Sequence, residues 1–328
     1  MNLQDLFSVT TLTSAINQLP VLPTKAGSLG IFTERGIPTT TLVIEVRQGR
    51  LFLVPNVSRN DDPQPVANVK RNRRTFETAH LPVSSQVLPS EIQNLSQFGE
   101  ADTAPADPQA QVINDKLQGL KNSLEATREW QRIGALRGKI LDADGGVLVD
   151  LYDEFGVPQK KTSVALGTAT TDVRGKILSA KRHAEEKLGG VLVSGFKAFC
   201  GPDWFDKFTD HPKVQKAYEG YQEAQDRLAG DKREGFTFGG VEFIEYNARV
   251  SNQTFIPDDV AQVFPVGVGI YELYNAPANY NETSNTLGKP YYAKAEERRM
   301  GKGWDLEAQA NPLALCLYPE ALVELKMA

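Results

Sequence analysis

The chain has 328 residues, 41% hydrophobic and 23% charged, enough for two globular units or for one unit with large excursions. A formal charge of -5 at pH 7 excludes wholesale coating of a nucleic acid, because phosphate binding needs a net basic face to release counterions. No stretch approaches the length of a membrane span, and the N-terminus carries no basic leader; Cys200 and Cys316 sit far apart in apolar runs, so buried free thiols in a reducing cytoplasm are expected.

From residue 1 to about 98 the sequence is poor in helical periodicity and rich in Thr, Pro, Val and Asn, which predicts extended chain more than a compact core. Its clearest piece is TLVIEVRQGRLFLVPNV. Leu42, Ile44 and Val46 alternate with Val43, Glu45 and Arg47, and RLFLV resumes after Gln48-Gly49, so two strands joined by a short turn are expected. NDDPQP breaks that pattern. KRNRRTFETAH then places Lys70, Arg71, Arg73 and Arg74 within five positions, just ahead of Phe76. VSSQVLPSEIQNL returns towards the start, completing an antiparallel excursion with little apolar mass of its own.

The segment ADTAPADPQA punctuates the chain, and a long helix near residues 109–138 follows it. Ile113, Leu117, Leu120 and Leu124 share one face, while Trp130, Ile133 and Leu136 extend that face with a drift. Some 25 helical residues make a rod of roughly 37 Å. Asp144-Gly145-Gly146 between apolar runs predicts a hairpin turn. From about residue 171 helices and strands alternate. TDVRGKILSAKRHAEEKL is an amphipathic helix closed by Gly189 and Gly190, VSGFKAFCG is a strand, and Pro202 and Pro212 start two further helices. FTFGGVEFIEYNARV forms a hairpin about Gly239-Gly240, FIPDDVAQVFPVGV leads into a strand, and residues 275–290 form a polar loop. Three strand-like runs close the chain, the last two, PLALCLY and ALVELKM, with buried character.

No constellation points to catalysis or to a cofactor. His80, His183 and His211 show no metal-ligand spacing, and surface or capping roles are expected for them. Asp142, Asp144, Gly146 and Asp150 loosely resemble a calcium loop, but the terminal bidentate Glu is missing. There is no GxSxG elbow and no P-loop lysine, and Gly267 and Gly269 lack both a third glycine and a following helix. The basic run leaves three readings open: a phosphate grip, a strand whose arginines meet carboxylates on another chain, or a solvated charge run.

The order of these parts carries a resemblance over nearly the whole chain. LTSAINQLP, GIFTERGIPTTTLVIEVRQGRLFLV, RNRRTFETAHLP, LPSEIQNLSQFG, FCGPDWFDKFTDHPKVQKAY, FIPDDVAQVFPVGV and NPLALCLYPEALVELKM together resemble the major capsid protein E family, that of the phage lambda major head protein. The resemblance implies an α+β subunit of the Hong Kong 97-type capsid fold. Residues 1–38 would be an N-arm, 39–98 an extended loop, 99–170 with 290–328 a peripheral domain with a spine helix, and 171–289 an axial domain. The implied function is the head protein of a tailed phage or prophage, self-assembling as hexamers and pentamers into an icosahedral shell around packaged double-stranded DNA. No enzyme activity, cofactor, metal, membrane or sequence-specific DNA contact is implied. Scaffold, maturation protease, portal and decoration proteins are the implied partners, and the virion, assembled in the host cytoplasm, is the implied location. An encapsulin-like compartment loading a cargo enzyme is the alternative, and a DNA-binding accessory protein a further one. In this setting Lys70, Arg71, Arg73, Arg74 and Phe76 become candidate intersubunit contacts.

Overall fold

The structure, a computed structural model, describes residues 8–21, 24–47, 71–95, 108–217, 235–250 and 253–328. Its organising element is the helix Pro108–Arg137, 30 residues long, or about 45 Å at the usual rise per residue. Pro108 fits the first turn, where its missing amide costs nothing. Gly138, at φ 80°, ends the helix in a left-handed step that a side chain would resist. An added Cβ there would meet the Tyr152 ring at 2.4 Å.

The drift along this helix is a change of partner. Val112, Ile113, Leu117, Leu120 and Leu124 belong to one apolar core, whereas Trp130, Ile133, Ala135 and Leu136 belong to a second, larger one. A straight helix turns its apolar stripe slowly around its axis, so its two halves face different neighbours.

The first core is roofed by an antiparallel sheet in the order Tyr292–Glu297, Trp304–Ala310, Leu81–Val87. The helix Val9–Gln18 closes it with Leu12 and Ile16. The second core holds a six-stranded mixed sheet in the order Lys160–Ser163, Val323–Lys326, Val260–Val266, Gly195–Cys200, Val241–Glu245, Phe236–Phe238. Helices Val173–Leu188 and Pro202–Asp210 contribute buried residues to the same core, where Trp204 and Phe208 stack 4.8 Å apart and Phe208 meets Phe243 at 4.6 Å. A third sheet, in the order Phe32–Gly36, Tyr271–Asn275, Pro312–Cys316, also supplies this core.

Local signals placed most elements. Asp172 accepts from the Gly175 amide at the start of Val173–Leu188, and Gly189 ends that helix at φ 59°. Gly239 and Gly240 take φ 61° and 77° in the hairpin between Phe236–Phe238 and Val241–Glu245. The Asp-Gly-Gly hairpin joins Lys139–Leu141 to Val147–Asp150. Pro202 opens one helix, and Pro212 opens a second over the described residues 212–217.

Three expectations change. Among the described residues of the stretch 1–98 the chain is more than extended: Ser8 caps a helix that buries Leu12, Thr13 and Ile16, Phe32–Gly36 runs parallel to Tyr271–Asn275, and Pro89–Leu95 is helical. The Thr-rich stretch VTTLTSAIN has poor intrinsic helix propensity, and packing against the first core overrides it. Thr41–Arg47 pairs with Arg71–Glu77, so the observed partner of this strand is the basic run itself, while RLFLV lies outside the described residues. Finally, four strands follow residue 290 where three were expected, because Asn311 alone separates Trp304–Ala310 from Pro312–Cys316 as the chain crosses between sheets. Asn311 holds this crossing by donating to the Pro277 carbonyl at 2.9 Å, with its Oδ1 2.8 Å from His80 Nδ1.

Candidate assembly surfaces and the clamp beneath them

In the basic strand, register and alternation divide the side chains between two faces. Leu42 lies opposite Phe76 and Ile44 opposite Arg74, all turned inward, whereas Arg73, Thr75 and Glu77 are exposed beside Val43. Phe76 is 3% exposed, and its ring centroid lies 6.2 Å from that of Phe155. The Arg74 guanidinium lies 5.9 Å from the Phe155 ring centroid and 4.0 Å from the Glu154 carboxylate. Arg74 and Phe76 thus fasten the strand to the short helix Leu151–Phe155 of their own subunit. Arg73 is presented on the other face. Lys70 lies outside the described residues, and Arg71 is described by its backbone, paired with Arg47. A cleft of about 320 Å³ runs beside the strand, with Glu77, Asp150 and Glu154 among its walls.

Asp150 caps the helix after the hairpin by accepting from the Tyr152 amide at 3.0 Å, and Lys139 Nζ lies 2.6 Å from its other oxygen. Burial works to raise this carboxyl, but the Lys139 ammonium and the two capping amides outweigh it and hold it below its ordinary value. Asp142 and Asp144 accept from the amides of Ala143 and Gly146, both at 2.8 Å, so these carboxylates shape the turn. Among the described residues no group of three His, Cys, Asp or Glu could hold a metal ion. His211 is buried, with Nε2 3.1 Å from the Thr168 carbonyl and Nδ1 accepting from the Lys213 amide. Both cysteines are free and buried, and burial pushes the Cys316 thiol up to about 12.

Beneath the surface lies a charged cluster that the sequence reading did not single out. Lys121, Glu125, Arg128, Glu129 and Arg132 recur on one face of the long helix and are all buried. Lys121 Nζ donates to the carbonyls of Ile16 and Leu19 at 2.8 and 2.6 Å, meeting the C-terminal end of Val9–Gln18, where the helix dipole favours a cation. Two turns on, the Glu129 carboxylate accepts from the amides of Ala26 and Gly27 at 2.7 and 3.1 Å, at the start of the short helix Lys25–Ser28. The Tyr246 hydroxyl donates to the same carboxylate at 2.8 Å. Arg128 donates to the Pro290 carbonyl at 3.0 Å and to Glu34 at 2.9 Å. Arg132 reaches Glu125 at 2.6 Å, and the Tyr291 hydroxyl donates to Glu125 as well. Burial opposes the Arg132 charge, but Glu125, Glu129 and Glu34 outweigh it and hold the guanidinium above its ordinary value. Burial pushes the Lys121 ammonium below its ordinary value, with Glu125 opposing. The helix thereby grips both ends of the segment joining Val9–Gln18 to Phe32–Gly36. The one signal for this in the sequence is the gap in the apolar stripe between Leu124 and Trp130, filled by EATRE.

Among the described residues no catalytic groups converge. The geometry offers instead a long helix carrying two separate cores, a clamped N-terminal segment and a two-stranded ladder with one exposed face, an arrangement that agrees with the shell-subunit fold of the Hong Kong 97 type that the resemblance implies. The family model described as phage major capsid protein E matches residues 8–327, and the chain belongs to that family. It is 27% identical over 357 residues to the major capsid protein of Salmonella phage Felix O1, covering 98% of this chain and 96% of the relative. It is 29% identical to the major capsid protein of Pseudomonas phage KPP10, covering 100% and 99%. Among solved structures, a protein from E. coli CFT073 described as a prophage capsid protein superposes with a TM-score of 0.59 at 14% identity, covering 98% of this chain and 99% of the other. The chain is accordingly a major capsid protein of a phage or prophage, a structural and not a catalytic component of the virion shell, and it works as one of many copies. Nothing in these likenesses supports the cargo-loading compartment.

Proposed function

We propose that copies of this chain close into hexamers and pentamers of an icosahedral head around packaged double-stranded DNA, and that the basic strand is an intersubunit clamp. The observation that carries the clamp is the division of faces along the strand: Arg74 and Phe76 hold it to its own subunit, and Arg73 is exposed on the opposite face, where a second chain can reach it. Lys70 and Arg71 extend the same basic run. Arg forks suit carboxylates, and an acidic chain offers many of them. Residues 1–38 serve as N-arm, 39–98 as extended loop, 99–170 with 290–328 as peripheral domain and 171–289 as axial domain. Tyr292–Glu297 and Trp304–Ala310, packed on the first half of the spine helix, support joining 290–328 to 99–170, and Leu81–Val87 ties the returning end of the extended-loop segment into the same sheet. The final strand, Val323–Lys326, lies in the sheet of the axial segment and ties the two units together. Scaffold, maturation protease, portal and decoration proteins are the partners such a head would meet. The net acidity keeps the inner wall from trapping DNA as it enters.

Electron microscopy of the protein expressed alone and with its scaffold and protease tests the shell. Uniform closed particles or tubes are expected, and a salt-stable monomer that binds DNA would overturn the reading. The clamp is tested by reversing Arg71 and Arg73 to Glu together. Circular dichroism of the subunit should be unchanged while shells are lost or misdirected; normal shells would defeat the assignment. Arg74 is left intact in this test because Glu154 and Phe155 of its own subunit hold it.

A further inference from the structure

The cleft of about 320 Å³ beside the basic strand is lined from the spine helix by Gln131. This side chain is 2% exposed, and its Oε1 has no hydrogen-bond partner among the described residues. A buried acceptor without a donor is costly, so the cleft calls for an N–H group from outside the fold. The walls say which kind. Glu77, Asp150 and Glu154 line the cleft, and no lysine or arginine does. Asp150 is committed to Lys139 and to its capping amides. Glu154 lies 4.0 Å from Arg74, beyond hydrogen-bond distance, and Glu77 is exposed, so both keep acceptor capacity. Phe76 and Ile140 add an apolar side on which an alkyl stem can lie.

The remaining wall is a strand edge. Pro312–Cys316 is the outer strand of its sheet. The Ala276 amide donates to the Asn311 carbonyl and the Leu317 amide to the Ile270 carbonyl, both at 2.9 Å, which fixes the alternation between them. Leu313 and Leu315 therefore bond to Tyr271–Asn275, while Pro312 and Ala314 turn their backbone groups the other way. The Ala79 amide takes the Pro312 carbonyl at 3.0 Å, and Ala314, which lines the cleft, presents the next amide and carbonyl.

We propose that this cleft binds an arginine carried on an extended segment of another protein chain, its guanidinium donating to Gln131 Oε1 and the carboxylates and its backbone pairing with Ala314. The planar fork of arginine carries five donors and no acceptor, which matches a pocket of acceptors, and the backbone pair is strand addition at a free edge. The site belongs to one subunit and goes beyond the shell reading, whose closure it does not require.

The test is isothermal titration of the dispersed full-length chain with the peptide acetyl-Val-Arg-Val-amide. Saturable binding is expected, weakened by about tenfold or more in Gln131→Leu, in Glu77→Gln, and when citrulline, which keeps the shape and loses the charge, replaces the peptide's arginine. Gln131→Leu exchanges a buried unpaired amide for an apolar group of similar size, so its unfolding midpoint should not fall; Glu77→Gln, at an exposed position, keeps the test open if that variant misfolds. Agmatine, a guanidinium without a peptide backbone, should bind more weakly than the peptide. No saturable binding, equal binding of the citrulline peptide, or binding unmoved in both variants would overturn the site, and equal binding of agmatine would overturn the pairing with Ala314. Whether the wild type closes into shells does not enter any of these outcomes.

Discussion

Glu129 serves four partners at once: the amides of Ala26 and Gly27, the Tyr246 hydroxyl and, at 3.6 Å, the Arg132 guanidinium. Truncating it leaves two helix-start amides and the Tyr246 hydroxyl without their acceptor, while Arg132 keeps Glu125 and Glu34, so Glu129→Ala should destabilise the isolated subunit by roughly 3 kcal/mol or more in urea unfolding, at about 1–3 kcal/mol for each buried donor left unsatisfied. A loss below about 1 kcal/mol, the ceiling for an ordinary exposed pair, would show that the cluster is wetter than its burial implies. Histidine gives a second expectation. Burial, and after it the Lys160 and Lys187 ammoniums, hold His183 below its ordinary value of 6.5. The unfolded chain then takes up the proton first, so this contribution to stability is fully present above the ordinary value and is lost as pH falls through it towards the lower folded value. His183→Gln should flatten the decline in unfolding midpoint over that window, and an unchanged decline would assign it to other groups. Neither site was legible in the sequence. Charges at helical spacing read as a solvated face, and what covers Lys121 and Glu129 is backbone about a hundred residues away, from Ile16 to Gly27.

At the scale of the element, the spine helix is one rod serving two cores. Leu117 and Ile133 lie about 24 Å apart along its axis and share no cluster. Leu117→Ala and Ile133→Ala should each cost about 2–5 kcal/mol, and their double variant should be additive to within about 0.5 kcal/mol. A larger coupling energy would mean that the two cores repack as one. Gly138→Ala should also destabilise, since it forces a positive φ on a residue with a Cβ and drives that atom into the Tyr152 ring. Elements of this kind were readable because their causes are local: Asp172 and Gly189 bound a helix, and Gly239-Gly240 turns a hairpin. The arm was not readable. Val9–Gln18 is helical because Leu12 and Ile16 pack into the first core, and Thr13 Oγ1 docks it by accepting from the Ala293 amide and donating to the Ala293 carbonyl, at 3.2 and 3.4 Å, along the edge of a sheet formed from the other end of the chain.

At the scale of the whole molecule, the family resemblance was legible over nearly the whole chain, and the family match over residues 8–327 agrees with it. What the sequence could not show is which face of each part is left for neighbours, since that depends on burial by distant strands; Arg73 and Arg74 are adjacent yet point opposite ways. The proposed clamp is electrostatic, and salt should expose it. Arginine–carboxylate contacts at a surface weaken as the Debye length falls from about 8 Å at 0.15 M to about 3 Å at 1 M. Salt also screens the repulsion between copies that each carry a charge of -5, so the wild-type trend alone mixes two opposing effects. Comparing variants removes the larger part of the shared one, because a single substitution changes the net charge little. The critical concentration for shell formation, followed by light scattering, should climb less steeply with sodium chloride in Arg73→Gln than in the wild type. An unchanged slope in Arg73→Gln would remove the electrostatic clamp.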